Sequence, residues 1–121
     1  MLTGKMTAKT AFAADDHRLF NRHGEAFDMG ETFSGVPYEV GLEAVERLRP
    51  LVPGDSTMAQ FALRWILMQD AVTVIIPGAK NKAQAEDNAA ASRLAPLPAE
   101  VMAEARKVYE DLIKVHVHQR W

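Results

Sequence analysis

The sequence contains no cysteine, which excludes a disulfide framework and thiolate chemistry. It has no excess of either charge, because 14 basic and 16 acidic residues leave a net charge of -2, and this argues against nucleic-acid or acidic-membrane partners. No apolar run approaches the roughly 20 residues of a membrane span, and no signal-peptide pattern opens the chain. There is no internal repeat. These absences predict one globular domain in the cytoplasm.

One stretch in the second half of the chain carries the strongest local signal. Residues 71–76 form an uncharged run rich in β-branched side chains, which predicts a strand buried on both faces of a parallel sheet. Gly78 follows, where glycine permits a positive φ or the close approach of a ligand. Asn81 with Gln84 three residues later predicts a helix N-cap and capping box. Such a helix N-terminus is an anion site, to which Lys80 adds positive charge. Because there is no other convincing strand to pair with, the chain is expected to be part of a larger fold.

Apolar periodicity predicts four helices around this stretch. Two lie within residues 37–69, and the second of them begins at Thr57, where Gln60 completes a capping box. The third covers residues 82–92 and the fourth residues 98–115. The fourth carries a stripe of apolar residues, namely Val101, Ala105, Val108, Leu112 and Val115.

The two ends of the chain leave alternatives open. Residues 1–36 show no clear periodicity and contain a basic, aromatic cluster of His17, Arg18, Phe20, Arg22, His23 and Phe27. The cluster is interpreted either as a surface loop docked on a neighbouring helix or as a loop reaching over a binding site. In the tail, His116 and His118 have a spacing that suits two metal ligands on a strand. No third ligand lies near them in the sequence, which favours a solvated tail with a docked Trp121.

Several segments resemble the C-terminal portion of the aldo-keto reductases. They are LTGK near the start, FNRHGEAFDMGETFSGVPYE, AQFALRWIL, VIIPGAK, QAEDN and the tail HVHQRW. That family folds as a (β/α)8 barrel and uses a nicotinamide cofactor, usually NADPH. The resemblance implies an α/β fold, a mostly helical C-terminal fragment of such a barrel. Residues 1–36 would follow strand seven, 71–76 would be strand eight, 82–92 the last barrel helix and 98–115 the C-terminal helix.

The resemblance also assigns a cofactor site. The matching positions are Gly78, Ala79, Lys80, Gln84, Asp87 and Asn88. The first three match the turn that receives the adenosine phosphate end, and the last three match positions beside the 2′-phosphate and adenine. The last three also share a helix face, because they lie three and four residues apart. The alternatives are a capping-box role for Gln84 and a plain outer-face role for Asn88.

The family's catalytic tetrad of Asp, Tyr, Lys and His has no matching position in this chain. Tyr38 and Tyr109 lie on predicted helices and are not assigned to it, so no catalytic residue is predicted, and neither is a metal site. The expected function is that of a fragment of an NADP(H)-dependent aldo-keto reductase, which reduces carbonyls to alcohols. The chain would carry the adenine side of the cofactor site, be inactive alone and require the N-terminal part of the barrel as a partner. The alternative is a non-enzymatic helical module that binds a partner or self-associates, because the apolar helix from Thr57 must be covered.

Overall fold

A computed structural model describes residues 1–120, and within that range all regular structure is helical. The α-helices are α1 (His17–Phe20), α2 (Tyr38–Leu48), α3 (Met58–Leu67), α4 (Lys82–Ala90), α5 (Ala99–Val108) and α6 (Lys114–Val117). A π-helical segment, Tyr109–Ile113, joins α5 to α6. Short 3-10 helices cover Met29–Glu31, Phe33–Gly35, Arg49–Leu51, Ala91–Arg93 and His118–Arg120.

Residues 71–76 do not form a strand. The described part of the chain contains neither strand nor sheet, so the prediction of a (β/α)8 barrel fragment with one clear strand is wrong. A strand needs a neighbour for its backbone N–H and C=O groups, and residues 1–120 provide none. The run lies on the surface instead, with Val74 68% and Ile76 94% exposed. Its β-branched composition indicates an extended preference, which does not by itself supply a pairing partner.

The start of α3 follows the sequence signal directly. The Thr57 hydroxyl accepts the N–H of Gln60 at 3.1 Å, and the Gln60 side-chain oxygen accepts the N–H of Thr57 at 2.9 Å. The predicted capping box is therefore confirmed. Met58 and Phe61, in the first turn of the helix that this capping box begins, are buried.

The core lies between α2, α3 and α5. Its buried members are Val45, Met58, Phe61, Leu97 and Ala105. Trp65 packs against this cluster and is partly buried. Its indole N–H is buried and has no hydrogen-bond acceptor within the described residues.

The last helical segment departs from the predicted apolar stripe. Ala105 and Val108 are buried, but Val115 is 69% exposed and Val117 is 5% exposed. The π-helical turn Tyr109–Ile113 explains the change, because a wider turn shifts the phase of every residue that follows it. Val117 faces the N-terminal segment, where it lines a cavity together with Met29 and Ser34.

A buried polar pair organises the N-terminal segment. Asn21 is fully buried, and its side-chain oxygen accepts the N–H groups of Ala26 and Phe27 at 2.9 and 2.8 Å. Its amide nitrogen donates to the Thr32 hydroxyl at 3.1 Å. The same hydroxyl lies 3.2 Å from Nδ1 of His17. These bonds satisfy polar groups that would otherwise be buried without partners.

Two basic residues of this segment lie on aromatic rings, and one of these rings, that of Tyr38, belongs to α2. The guanidinium of Arg18 lies 4.7 Å from the Phe12 ring centre, and that of Arg22 lies 4.9 Å from the Tyr38 ring centre. Hydrogen bonds from Arg18 lower the pKa of Asp16 to about 2. The contact with Tyr38 agrees with the interpretation of a loop docked on a neighbouring helix.

The end of the chain returns to this segment. A guanidinium nitrogen of Arg120 lies 2.6 Å from the sulfur of Met29. Gly35 lies beside the same guanidinium with a φ of +76°, and a Cβ there would lie 3.2 Å from Arg120 Nη1. Glycine suits this position because side chains disfavour a positive φ.

Candidate functional site

The turn that precedes α4 is held by the helix's own side chains. Asn81 caps α4, because its side-chain oxygen accepts the N–H of Gln84 at 3.0 Å. The Gln84 side-chain oxygen accepts the N–H of Lys80 at 2.7 Å. The predicted capping box is thus half present, since Gln84 reaches the residue before the N-cap rather than the N-cap itself. Gln84 therefore orients the turn.

Asn88 makes a second connection to the same turn. Its amide nitrogen donates to the carbonyl of Gly78 at 3.2 Å, although the two residues lie ten apart in sequence. Gly78 does not adopt a positive φ, and a Cβ built on it meets no atom within 4 Å. The space above Gly78 is therefore open to a ligand, and no contact within the protein requires glycine there.

The donors around this open space suit an anion. Gly78, Ala79 and Lys80 are exposed, and the first N–H groups of α4 have no acceptor within the helix. The ammonium of Lys82 lies 3.6 Å from a carboxylate oxygen of Glu86. A phosphate at this turn would meet backbone donors, the helix dipole and the Lys80 ammonium.

The third predicted contact, Asp87, presents an exposed side chain on α4. Its carbonyl oxygen accepts a hydrogen bond from the side-chain amide of Gln60 at 3.1 Å. Gln60 lies on α3, so this bond ties the two helices together. The structure therefore brings Gly78 and Lys80 to Gln84 and Asn88, while Asp87 is held through its backbone.

Two further concave surfaces lie away from this turn. A cavity of about 780 Å³ is lined by residues of the N-terminal segment, including His23, Phe27 and Asp28, together with Arg120. An apolar groove of about 590 Å³ is lined by residues of α2, α3 and α5, and Trp65 and Ile66 lie along it.

A family model described as the Aldo/keto reductase family matches residues 1–110 of the 121-residue chain. The chain belongs to the aldo/keto reductase family. Neither the curated proteins nor the solved structures with which it was compared gave a match. Aldo/keto reductases are oxidoreductases that generally use nicotinamide cofactors. Family membership therefore supports a nicotinamide cofactor, without distinguishing NADP(H) from NAD(H).

The two tyrosines of this aldo/keto reductase chain are engaged in contacts within the protein. The Tyr38 hydroxyl donates to the carbonyl of Thr7 at 2.8 Å, and Tyr38 is buried. The Tyr109 hydroxyl lies 2.9 Å from Nδ1 of His118. Both tyrosines lie in helical segments.

The histidines of the tail lie on a helical segment rather than a strand. His116 is in α6 and His118 in the 3-10 helix after it. Among residues 1–120 no group of three or more His, Cys, Asp or Glu side chains could hold a metal ion. The expected docking of Trp121 lies outside the described residues. No helix in the described range has the length and apolar character needed to cross a membrane.

The sequence does not predict that Gln60 contacts α4, the helix of the candidate cofactor site. Its spacing from Thr57 indicates only a capping-box partner. The bond to Asp87 joins residues 27 apart in sequence. A contact over that separation has no local sequence signal.

Proposed function

We propose that this chain binds NADP(H) at the turn Gly78–Lys80 and along the face of α4 that carries Gln84, Asp87 and Asn88. The site would receive the adenosine end of the cofactor, with the 2′-phosphate at Lys80 and the adenine edge at Asp87 and Asn88. The observation that carries the proposal is the turn itself, which Gln84 and Asn88 hold in place beneath open space at Gly78. Backbone donors and one ammonium are the groups that recognise a phosphate.

In the reaction of the family, a bound NADPH supplies a hydride to a carbonyl and an alcohol is formed. This chain's residues would bind and orient the adenosine end, away from the reacting carbonyl. Since no position matches the catalytic tetrad, nothing in the chain is assigned to deliver the proton. We therefore propose that the chain is inactive alone and contributes cofactor binding to an NADP(H)-dependent reductase.

Replacing Lys80 by Met tests the proposed 2′-phosphate contact. We expect NADPH affinity to fall about tenfold, or about 1.4 kcal/mol, because a charge-assisted bond to phosphate is lost. NADH affinity should stay unchanged, since NADH has no 2′-phosphate. The measurement is isothermal titration with each cofactor, checked by the upward shift in melting temperature that binding produces.

Lys107→Met is the matched control, because it removes the same charge from an exposed position on α5. It should leave both affinities at the wild-type values. Equal losses of NADPH and NADH binding in Lys80→Met would contradict a 2′-phosphate role. No binding of NADPH by the folded wild-type chain would remove the proposed function altogether.

A second candidate is self-association, and the surface run at 71–76 favours it. Val74 and Ile76 are 68% and 94% exposed, and the chain also presents an apolar groove along Trp65 and Ile66. Exposed apolar surface of this kind is typical of interaction sites. In this alternative, Val74 and Ile76 of one copy contact the groove of a second copy.

Sedimentation velocity over a range of concentrations tests this second candidate. We expect a concentration-dependent dimer whose dissociation constant rises at least about tenfold in the double variant Val74→Lys, Ile76→Lys, because two apolar contacts are replaced by charges. Val115→Lys is the control, since Val115 is 69% exposed and lies in α6, outside both surfaces. A wild-type chain that stays monomeric at all concentrations would exclude self-association.

A further inference from the structure

Gln60 uses both ends of its side-chain amide. The oxygen accepts the N–H of Thr57 at 2.9 Å and so completes the N-cap of α3. The nitrogen donates to the carbonyl of Asp87 in α4 at 3.1 Å. Gln60 is partly buried. One planar group therefore fixes the start of α3 against the second half of α4.

The carbonyl of Asp87 needs this outside donor because α4 tightens at its end. In a continuing α-helix the N–H of Ala91 would bond the carbonyl four residues back, which is that of Asp87. The N–H of Ala91 instead bonds the carbonyls of Asn88 and Ala89, at the start of the 3-10 turn Ala91–Arg93. The Gln60 amide supplies the donor that the helix itself does not.

The same end of α4 is anchored by burial. Ala91 is 1% exposed, and α3 packs against both α4 and the turn Ala91–Arg93. Within α4, Asn88 is the next residue after Asp87, and its side chain holds the carbonyl of Gly78. The chain of contacts runs from α3 through Asp87 and Asn88 to the turn before α4.

We propose that Gln60 is a positioning residue for the cofactor site, an inference that rests on the proposed NADP(H)-binding function. It does not touch the cofactor. Gln60 fixes the position of α4 against α3. Because Asn88 on α4 holds the Gly78 carbonyl, Gln60 also fixes the position of the turn that receives the phosphate. Its loss should weaken cofactor binding without removing any group that contacts the cofactor.

Gln60→Glu separates this role from capping. A glutamate keeps the oxygen that accepts the N–H of Thr57, so the cap of α3 is retained. It removes the donor and places a carboxylate oxygen against the carbonyl of Asp87. We expect amide hydrogen exchange in the second half of α4 to speed up about tenfold and NADPH affinity to fall about three- to tenfold, because one interhelical bond is lost.

Thr57→Ala is the matched control, because it removes the capping hydroxyl and leaves the Gln60 donor to Asp87 in place. It should destabilise α3 while exchange in α4 and NADPH affinity stay near wild-type values. Unchanged exchange in α4 together with unchanged NADPH affinity in Gln60→Glu would overturn the inference. Failure of the wild-type chain to bind NADPH would instead overturn the proposed function, and hydrogen exchange would still decide whether Gln60 fixes α4.

Discussion

Gly78→Ala is expected to leave the fold intact and to lower NADPH affinity at least about tenfold, or about 1.4 kcal/mol. The added Cβ meets no protein atom within 4 Å, and Gly78 does not have a positive φ. The substitution should therefore raise the free energy of unfolding slightly, by about 0.4–1 kcal/mol, because the unfolded chain loses freedom. A phosphate drawn close to the backbone would meet the new methyl group. Calorimetric titration with NADPH and a thermal melt of the same sample measure the two effects.

Gly54→Ala provides the comparison for this experiment. A Cβ added at Gly54 also meets no atom within 4 Å, and Gly54, which lies between α2 and α3, has no positive φ. The variant should show the same small gain in stability with no change in NADPH affinity. Equal NADPH affinities for the two variants would show that no ligand approaches the backbone at Gly78.

Asn21→Leu is expected to cost about 3 kcal/mol of unfolding free energy, because three hydrogen bonds are lost and each contributes about 1 kcal/mol. The substitution leaves the N–H groups of Ala26 and Phe27 without their acceptor and removes one of the two side-chain partners of the Thr32 hydroxyl, the other being His17. Leucine branches at Cγ as asparagine does and is not smaller, so no cavity contributes to the loss. Thermal unfolding gives the total effect, and amide exchange at Ala26 and Phe27 shows where it arises.

Asn81→Leu is a control with the same chemistry in an exposed place. Asn81 makes a capping bond to Gln84 on the surface, so its replacement should cost about 1 kcal/mol. If Asn21→Leu were no more destabilising than Asn81→Leu, the buried pair of Asn21 and Thr32 would not be what holds the N-terminal segment together.

The parts of the fold that the sequence predicts well are those fixed by neighbouring residues. Thr57 with Gln60, and Asn81 with the N–H of Gln84, are short-range capping signals, and both bonds are present. The strand at 71–76 fails for the opposite reason. Its residues prefer an extended backbone, but a strand also requires a partner, and the described chain provides none.

The features that the sequence does not predict join distant residues or alter helix phase. The bond from Gln60 to Asp87 spans 27 residues, and the bond from Asn21 to Thr32 depends on how a whole segment folds back. The π-helical turn before α6 changes the helix phase, so that Val115 is exposed and Val117 is buried, which regular periodicity cannot anticipate. Within the candidate site, the helix face shared by Gln84 and Asn88 follows from spacing. Their hydrogen bonds to Lys80 and Gly78 do not follow from spacing, because they depend on the path of the turn before the helix.

The contact between Arg120 and Met29 has a consequence for synthesis of the chain. It joins residues 91 apart in sequence, so the N-terminal segment meets this partner only after nearly all of the intervening chain has been made. Domains generally fold as units, so a contact that joins distant parts of one domain forms only once both parts have been made. Residues 17–35 are therefore synthesised well before Arg120, which completes this contact. Phe20 and Phe27 lie in this segment and remain 44% and 42% exposed after the contact has formed, so the segment keeps an apolar surface in the folded chain.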